Sequence, residues 1–540
     1  MWTRRDAVAI AFTALVIAGT HAKAVAQPQQ GSSASPDAAR TERFKADLVA
    51  GVEARRKLAQ VINDTVFSFG ELGYQEVETS KYLTDVLEKA GFRIDRGIAG
   101  MPTAWVARWG TGKPVIALGS DLDCIPNASQ RPGVAYRDEL VEGAPGHGEG
   151  HNSGQAVNIV AALALKDLME REKLPGTLVI WPGIAEELLA GKSYLVRAGV
   201  FRDVDAVLFT HVGNDFSTAW GHPSGSSGMI SVEYTFRGES AHAAAAPWRG
   251  RNALRAVQLM NIGWDFRREH LRPVQRSHYT ISYGGDQPNV VPPLAKVWYF
   301  IREMDFENIK RNYEIANTIA EAAAKMTDTT VTHQVIGAAA PRHFNRTLAE
   351  TLQANIDRVG LPKWSPEDQA FAKAVQKAVG GREQGLATEP RKLWPPVANP
   401  DSGPSDDIGE VSWVVPTATL RYPANIPNLP GHHWSNAMAM ATPIAHKGIV
   451  AGSKVMAMTV LDLILRPELI AQANDYFHNV QLKSNRYVPL LPDSAQPQIH
   501  MNREIMARYR PQMSKFYYDA SRYDTYLEQL GVKYPQLVKP

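Results

Sequence analysis

The chain has 540 residues, 44% hydrophobic and 21% charged, with a formal net charge of +3. That length suits two or more domains with sizeable cores, and so small a net charge gives no basis for binding nucleic acid or an anionic membrane. The single cysteine, Cys124, excludes an intramolecular disulfide framework and a cysteine-rich zinc site.

Arg4 and Arg5 precede an apolar run over residues 7–19, too short to cross a bilayer comfortably. Ala24-Val25-Ala26 then supplies the small residues of a cleavage site. This layout predicts a secretory signal over 1–26, loosely similar to a twin-arginine signal, and a periplasmic or secreted mature protein with no stable membrane association. An uncleaved anchor is the alternative. Residues 27–40, rich in Gln, Ser, Ala and Pro, read as a disordered linker.

Helical patterns cover 41–69 and 79–90, and strand-like runs cover 103–109 and 114–118. The second run ends in Gly119-Ser120-Asp121-Leu122-Asp123, which sets carboxylates where open α/β sheets place their sites. Asp123 is a candidate to orient a metal-bound histidine; two turn-forming aspartates are the plainer reading. The segment GAPGHGEGHNS follows at 143–153. On an extended chain His147, Glu149 and His151, spaced by two, point the same way. Gly148 and Gly150 relieve crowding on the other face. Imidazole and carboxylate are ligands for zinc or manganese; a solvated polar turn is the alternative. A helical pattern over 155–171 comes next.

A buried strand at 176–182 is followed by Glu186 and Glu187. Adjacent side chains diverge, so one carboxylate can bind metal while its neighbour faces substrate and moves protons. Acids opening a surface helix are the alternative. A third strand, 206–209, leads into Thr210-His211. From 229 to 335 the patterns run strand, helix, strand, strand, helix, strand, the order of a ferredoxin-like unit. They predict an inserted domain at 227–337. Its first loop holds His242, placed to bind an oxyanion or to be an ordinary surface histidine.

Helices at 347–359 and 366–378 lead to Pro404-Ser405-Asp406-Asp407 and a strand-like run at 411–417. Either histidine of Gly431-His432-His433-Trp434 can close a metal shell before a helix at 443–465. Residues past 467 read as helical excursions on the surface without visible chemistry.

Together the run Asp121-Leu122-Asp123-Cys124-Ile125-Pro126, the loop at 143–152, the glutamate pair, Thr210-His211-Val212-Gly213, Ser240-Ala241-His242 and Pro288-Asn289-Val290-Val291-Pro292 resemble the M20 metallopeptidases, within their amidohydrolase branch. The resemblance covers about 45–535, including GEVSWVVPT at 409–417 and FYYDASRYDTYLEQLG at 516–531. It implies an α/β catalytic domain (41–226 and 338–540, with a C-terminal extension) bearing a two-metal site, interrupted by a lid domain through which the protein forms a homodimer. It also implies Glu149, His151, Glu187, His211 and His432 as metal ligands, with His433 as the fallback. Glu186 becomes the general base, Asp123 the acid that orients the site, and His242 the lid histidine that steadies the oxyanion, across the dimer.

Glu149 departs from the branch, which has a bridging cysteine there. A carboxylate can bridge through both oxygens and, being harder than thiolate, favours Mn²⁺ or Zn²⁺; one or two ions are expected. The implied activity is metal-dependent hydrolysis of the amide of an N-acyl amino acid, with an aromatic acyl group and a glutamate-like amine. Competing readings are a dipeptidase or carboxypeptidase on the same fold, a binding protein inactivated by Glu149, and a structural dimerisation protein. The glutamate pair argues against the last two, which need no base beside a ligand.

Overall fold

The computed structural model describes residues 36–393 and 395–539; the expected signal segment and residues 27–35 of the expected linker lie outside them. The last five residues of that linker, 36–40, are helical instead. Helix α1 (Pro36–Ala54) opens on Pro36 with Asp37 in its first turn, both of which favour a helix start. Phe44, Leu48 and Val52, four apart, form its buried stripe. Helix α2 (Arg56–Phe69) ends on Gly70 in the left-handed conformation, and α3 (Val77–Lys89) follows.

The first sheet then begins with β1 (Arg93–Arg96), β2 (Trp105–Thr111) and β3 (Val115–Asp121). Next come α4 (Gly154–Glu172), β4 (Gly176–Gly183), α5 (Lys192–Arg197) and β5 (Ala206–Gly213). The chain then leaves this sheet. It forms β6 (Gly228–Arg237), α6 (Ala253–Arg267), β7 (Arg276–Tyr283), β8 (Leu294–Glu303), α7 (Phe306–Met326) and β9 (Thr330–Ala339). These strands pair antiparallel in the order β7-β8-β6-β9, a separate sheet packed against α6 and α7. The succession is β-α-β-β-α-β.

On return the chain forms α8 (Arg346–Val359), α9 (Pro366–Ala378), α10 (Ile408–Ser412), β10 (Thr417–Pro423), α11 (Trp434–Ala437) and α12 (Pro443–Leu465). The first sheet has the order β1-β2-β4-β3-β5-β10, and β4, β3, β5 and β10 are mutually parallel. Their carboxyl ends therefore lie along one edge, where α/β sheets gather ligands. Helix α12 is long and apolar enough to cross a membrane, yet 89% of its most apolar window is buried, against α4, α8 and β10. It is the central core helix.

The strand expected at 411–417 is not there. Residues 408–412 form α10, and the strand runs from Thr417 to Pro423. Val411-Ser412-Trp413-Val414-Val415 has strong β preference, but tertiary contacts override it. The Asp406 carboxylate accepts the Ile408 N–H at 3.0 Å, and a side chain on Gly409 would meet the Ala340 carbonyl at 1.9 Å.

The C-terminal segment is more than surface decoration. Arg510 Nη2 lies 2.7 Å from a buried Glu71 oxygen, and Met506 packs with Leu72 and Cys124. The segment thus buttresses the loop that carries Asp123.

Candidate active site and metal centre

The elbow after β4 is held from behind by buried carboxylates. Asp123 Oδ1 and Oδ2 accept the N–H groups of Glu186 (3.1 Å) and Glu187 (3.0 Å), and Glu76 accepts that of Ala185 at 2.9 Å. Ala185 and Leu189, flanking the pair, and His432 have φ of 52°, 52° and 47°. Non-glycine residues resist this left-handed region, and such strain clusters where function demands a fixed geometry. Asp123 thus orients the glutamate pair through its carboxylate. His151 Nδ1 donates to the Asp123 backbone carbonyl at 3.1 Å, while the nearer carboxylate oxygen lies 3.8 Å away.

Glu149, His151, Glu187, His211 and His432 converge. Glu149 Oε2 lies 2.9 Å from His432 Nε2 and 4.0 Å from His151 Nε2, and Oε1 lies 3.4 Å from His211 Nε2. Glu187 Oε2 is 3.5 Å from His432 Nε2, and Oε1 is 3.9 Å from His151 Nδ1. His211 Nδ1 donates to its neighbour's carbonyl, Val212 O, at 2.8 Å, which leaves Nε2 free as a ligand. Candidate ligand atoms of Glu149, His151 and Glu187 all lie within 4.8 Å of one another, as do those of Asp121, His151 and His211.

The electrostatics call for a cation. Burial pushes the carboxyls of Glu187 and Glu186 well above the usual range, with further push from Glu149 and Asp123 on the first and from Asp121 and Asp406 on the second. Burial also opposes charge on Glu149, but His432, His151 and His211 outweigh it and hold that carboxyl well below the usual range. Burial keeps His151 neutral and, with Arg421 beside it, lowers His211 to about 3. Neutral imidazoles facing crowded carboxylates are the state a metal ligand set requires. His151 Nε2 and Glu187 Oε1 are buried without a hydrogen-bond partner, an expensive condition unless something binds there. The nitrogen and oxygen donors, with no sulfur, fit a divalent ion of hard to intermediate character.

Three expected residues fall elsewhere. His147 turns away: its Nε2 lies 3.2 Å from the Val66 carbonyl, and burial lowers it to about 3. The loop is not extended, because Gly150 at φ 116° bends it and breaks the two-residue parity. His433 caps α11, Nδ1 lying 2.8 Å from Ser435 Oγ, so His432 is the histidine that faces Glu149. His242 is exposed on the second sheet's first loop and does not line the cavity at the glutamates. Its Nδ1 accepts the N–H groups of Ala244 (3.2 Å) and Ala245 (3.1 Å), so the neutral ring carries its proton on Nε2.

Behind the site lies a buried cluster that sequence reasoning missed. The Lys192 ammonium, fully enclosed, lies 2.5 Å from Asp121 Oδ1 and is hydrogen-bonded to Asp407. Asp406 pairs with Arg342 at 3.4 Å. Its sequence signals were Asp121 at the end of a strand and the adjacent Asp406-Asp407. In front, a cavity of about 620 Å³ is lined by Glu149, Glu186, Glu187 and His211 at one end, with Trp220, Phe300 and Phe344 among its other walls.

Parallel strands leading into a glutamate pair and a histidine, interrupted by a second sheet, define an α/β protein with a candidate site for a divalent metal. The M20 peptidase dimerisation domain matches residues 224–330, which take in β6, α6, β7, β8 and α7. The chain is 34% identical over 465 residues to a p-aminobenzoyl-glutamate hydrolase polypeptide of Escherichia coli, covering 79% of this chain and 94% of that one. It is 27% identical to the mouse Xaa-Arg dipeptidase, covering 83% and 94%. The fold also matches the crystal structure of an aminobenzoyl-glutamate utilization protein from Klebsiella pneumoniae (TM-score 0.51, 18% identity, 78% of this chain and 98% of that one). The chain belongs to the M20 family of metallopeptidases and amidohydrolases. It is a hydrolase of amide bonds that depends on a divalent metal.

Proposed function

We propose that the protein hydrolyses N-acyl amino acids with an aromatic acyl group and an acidic amine such as glutamate, acting as an exported homodimer. Glu149, His151, Glu187, His211 and His432 hold one or two Zn²⁺ or Mn²⁺ ions. A bound ion of this kind supplies Lewis acidity, which lowers the pKa of water from about 15.7 towards 7. Glu186, next to a ligand but directed at the cavity, takes the proton of the attacking water and passes it to the leaving amine. Asp123 fixes the glutamate pair through two backbone N–H groups. His242, with its proton on Nε2, donates to the oxyanion across the dimer.

One observation carries this reading. Neutral His151 and His211 converge with Glu149 and Glu187 beside the carboxyl ends of the parallel strands, while Glu186, the residue before Glu187, lines an aromatic-walled cavity. The likeness to an aminobenzoyl-glutamate hydrolase supports the substrate class. The signal layout of residues 1–26 supports export to the periplasm or beyond, and the dimerisation-domain match supports the dimer. The test is hydrolysis of a panel of N-acyl amino acids by metal-loaded protein. N-aroyl glutamates should be cleaved fastest; cleavage of unblocked dipeptides alone would transfer the protein to the dipeptidase reading.

A further inference from the structure

A second compartment, about 330 Å³ in volume, opens beside the ligands. It shares Glu149, His211, Ser217, Arg391, Arg421 and His432 with the larger cavity, so these residues form a waist between two chambers. An amide whose carbonyl sits at that waist sends its two halves into different chambers. The chambers differ in chemistry. The larger is walled partly by Trp220, Phe300 and Phe344. No Phe, Tyr or Trp among the described residues lines the smaller, and Arg391 and Arg421 stand at the waist, bordering both chambers.

The two arginines are not equivalent. Arg391 faces a carboxylate of its own, Asp215, at 3.7 Å. Arg421 Nη1 donates to the Val212 carbonyl at 3.4 Å and lies 3.2 Å from His211 Nδ1, whose own proton goes to that same carbonyl, so it meets only uncharged groups. A guanidinium has five N–H donors, and among the described residues no carboxylate pairs with this one. Its place is fixed by the sheet: β10 lies parallel to β5 with Arg421 in register with His211. Reciprocal backbone bonds between Arg421 and Ser217, 2.9 and 3.0 Å, hold the strand there.

Arg421 therefore stands one imidazole ring away from His211 Nε2 and the waist. In an N-acyl amino acid the α-carboxylate carbon is three bonds from the scissile carbonyl carbon, about 3 to 4 Å away. It is the next group a substrate would bring to that spot. We propose that Arg421 binds the carboxylate of the leaving amino acid at the waist, beside His211, and is the residue that selects carboxylate-bearing amines. This assignment rests on the hydrolase reading above.

The test compares N-benzoyl-glutamate with its α-carboxamide, using metal-loaded wild type, Arg421→Gln and Arg421→Lys. Charge-assisted hydrogen bonds of this kind are worth on the order of 10- to 100-fold. Wild type should prefer the carboxylate by about that factor in kcat/KM. Arg421→Gln should collapse the preference towards one, chiefly through KM, and Arg421→Lys should restore part of it. Equal losses on both substrates in Arg421→Gln, or a preference that survives the change, would overturn the assignment. If Arg421→Gln fails to fold, the wild-type ratio decides, and a ratio below about twofold overturns it. Cleavage of neither substrate by wild type would remove the proposed function and this assignment together.

Discussion

Glu149 Oε2 lies 2.9 Å from His432 Nε2, and the same side chain sends its other oxygen to His211, 3.4 Å away. Two oxygens aimed at different histidines make Glu149 the shared corner of the ligand set, by a means that a single thiolate sulfur does not have. Losing a group that merely orients a metal ligand costs about 10- to 100-fold in affinity. Glu149→Gln should cost at least that much, read by equilibrium dialysis against Zn²⁺ and Mn²⁺. Glu149→Cys should keep binding and shift the preference away from Mn²⁺, because thiolate is the softer donor.

The proposed mechanism gives the neighbours Glu186 and Glu187 separate tasks. Glu186→Gln should retain the wild-type metal content and lose about 10²- to 10⁴-fold in kcat, the usual contribution of a positioned base. Glu187→Gln should lose metal as well. Metal analysis beside steady-state kinetics distinguishes them, and a Glu186→Gln enzyme of full activity would take the base role from Glu186.

Glu410, on α10, couples stability to pH. It is buried, accepts a hydrogen bond from the Tyr487 hydroxyl, and has Oε1 unpartnered. Burial raises it from 4.5 to about 8. The folded protein therefore keeps a proton that the unfolded chain releases above about pH 4.5, so stability falls as pH rises from there towards 8. Glu410→Gln removes this slope. Melting temperatures of the two proteins should converge near pH 4.5, and the variant should melt higher at pH 8.5, by an amount reflecting on the order of a few kcal/mol. A variant less stable at both pH values would contradict this.

His242 is exposed and away from its own chain's cavity, so its proposed role needs a second copy of the chain. Glu186→Gln and His242→Ala proteins should each be nearly inactive. Mixed and reassembled, they should regain about a quarter of wild-type activity, since half the dimers are hybrids with one intact site. No recovery, with hybrids demonstrated, would confine His242 to another role.

Much of this was legible in the chain. The short apolar runs before Asp121, Glu186 and His211 read as buried strands, which they are, and their ends lie beside the candidate site. The β-α-β-β-α-β succession showed directly as alternating periodicity. What was hidden depended on tertiary contact. The Val411–Val415 stretch has strand preference, yet folds as the end of α10 and a turn because Asp406 and Ala340 hold it; that shift of the strand start concealed Arg421 beside His211. Lys192 reads as an ordinary surface lysine opening a helix, and only the fold reveals it enclosed by Asp121 and Asp407. His147 was misplaced because two-residue parity holds in a strand and fails in a loop bent at a glycine.

The most direct measurement is metal content by elemental analysis of the purified protein, paired with N-benzoyl-glutamate hydrolysis before chelation, after chelation, and after return of Zn²⁺ or Mn²⁺. One or two ions per chain are expected, with hydrolysis abolished by the chelator and restored by the metal. Hydrolysis that persists in protein shown to be free of metal would contradict a centre built on Glu149, His151, Glu187, His211 and His432.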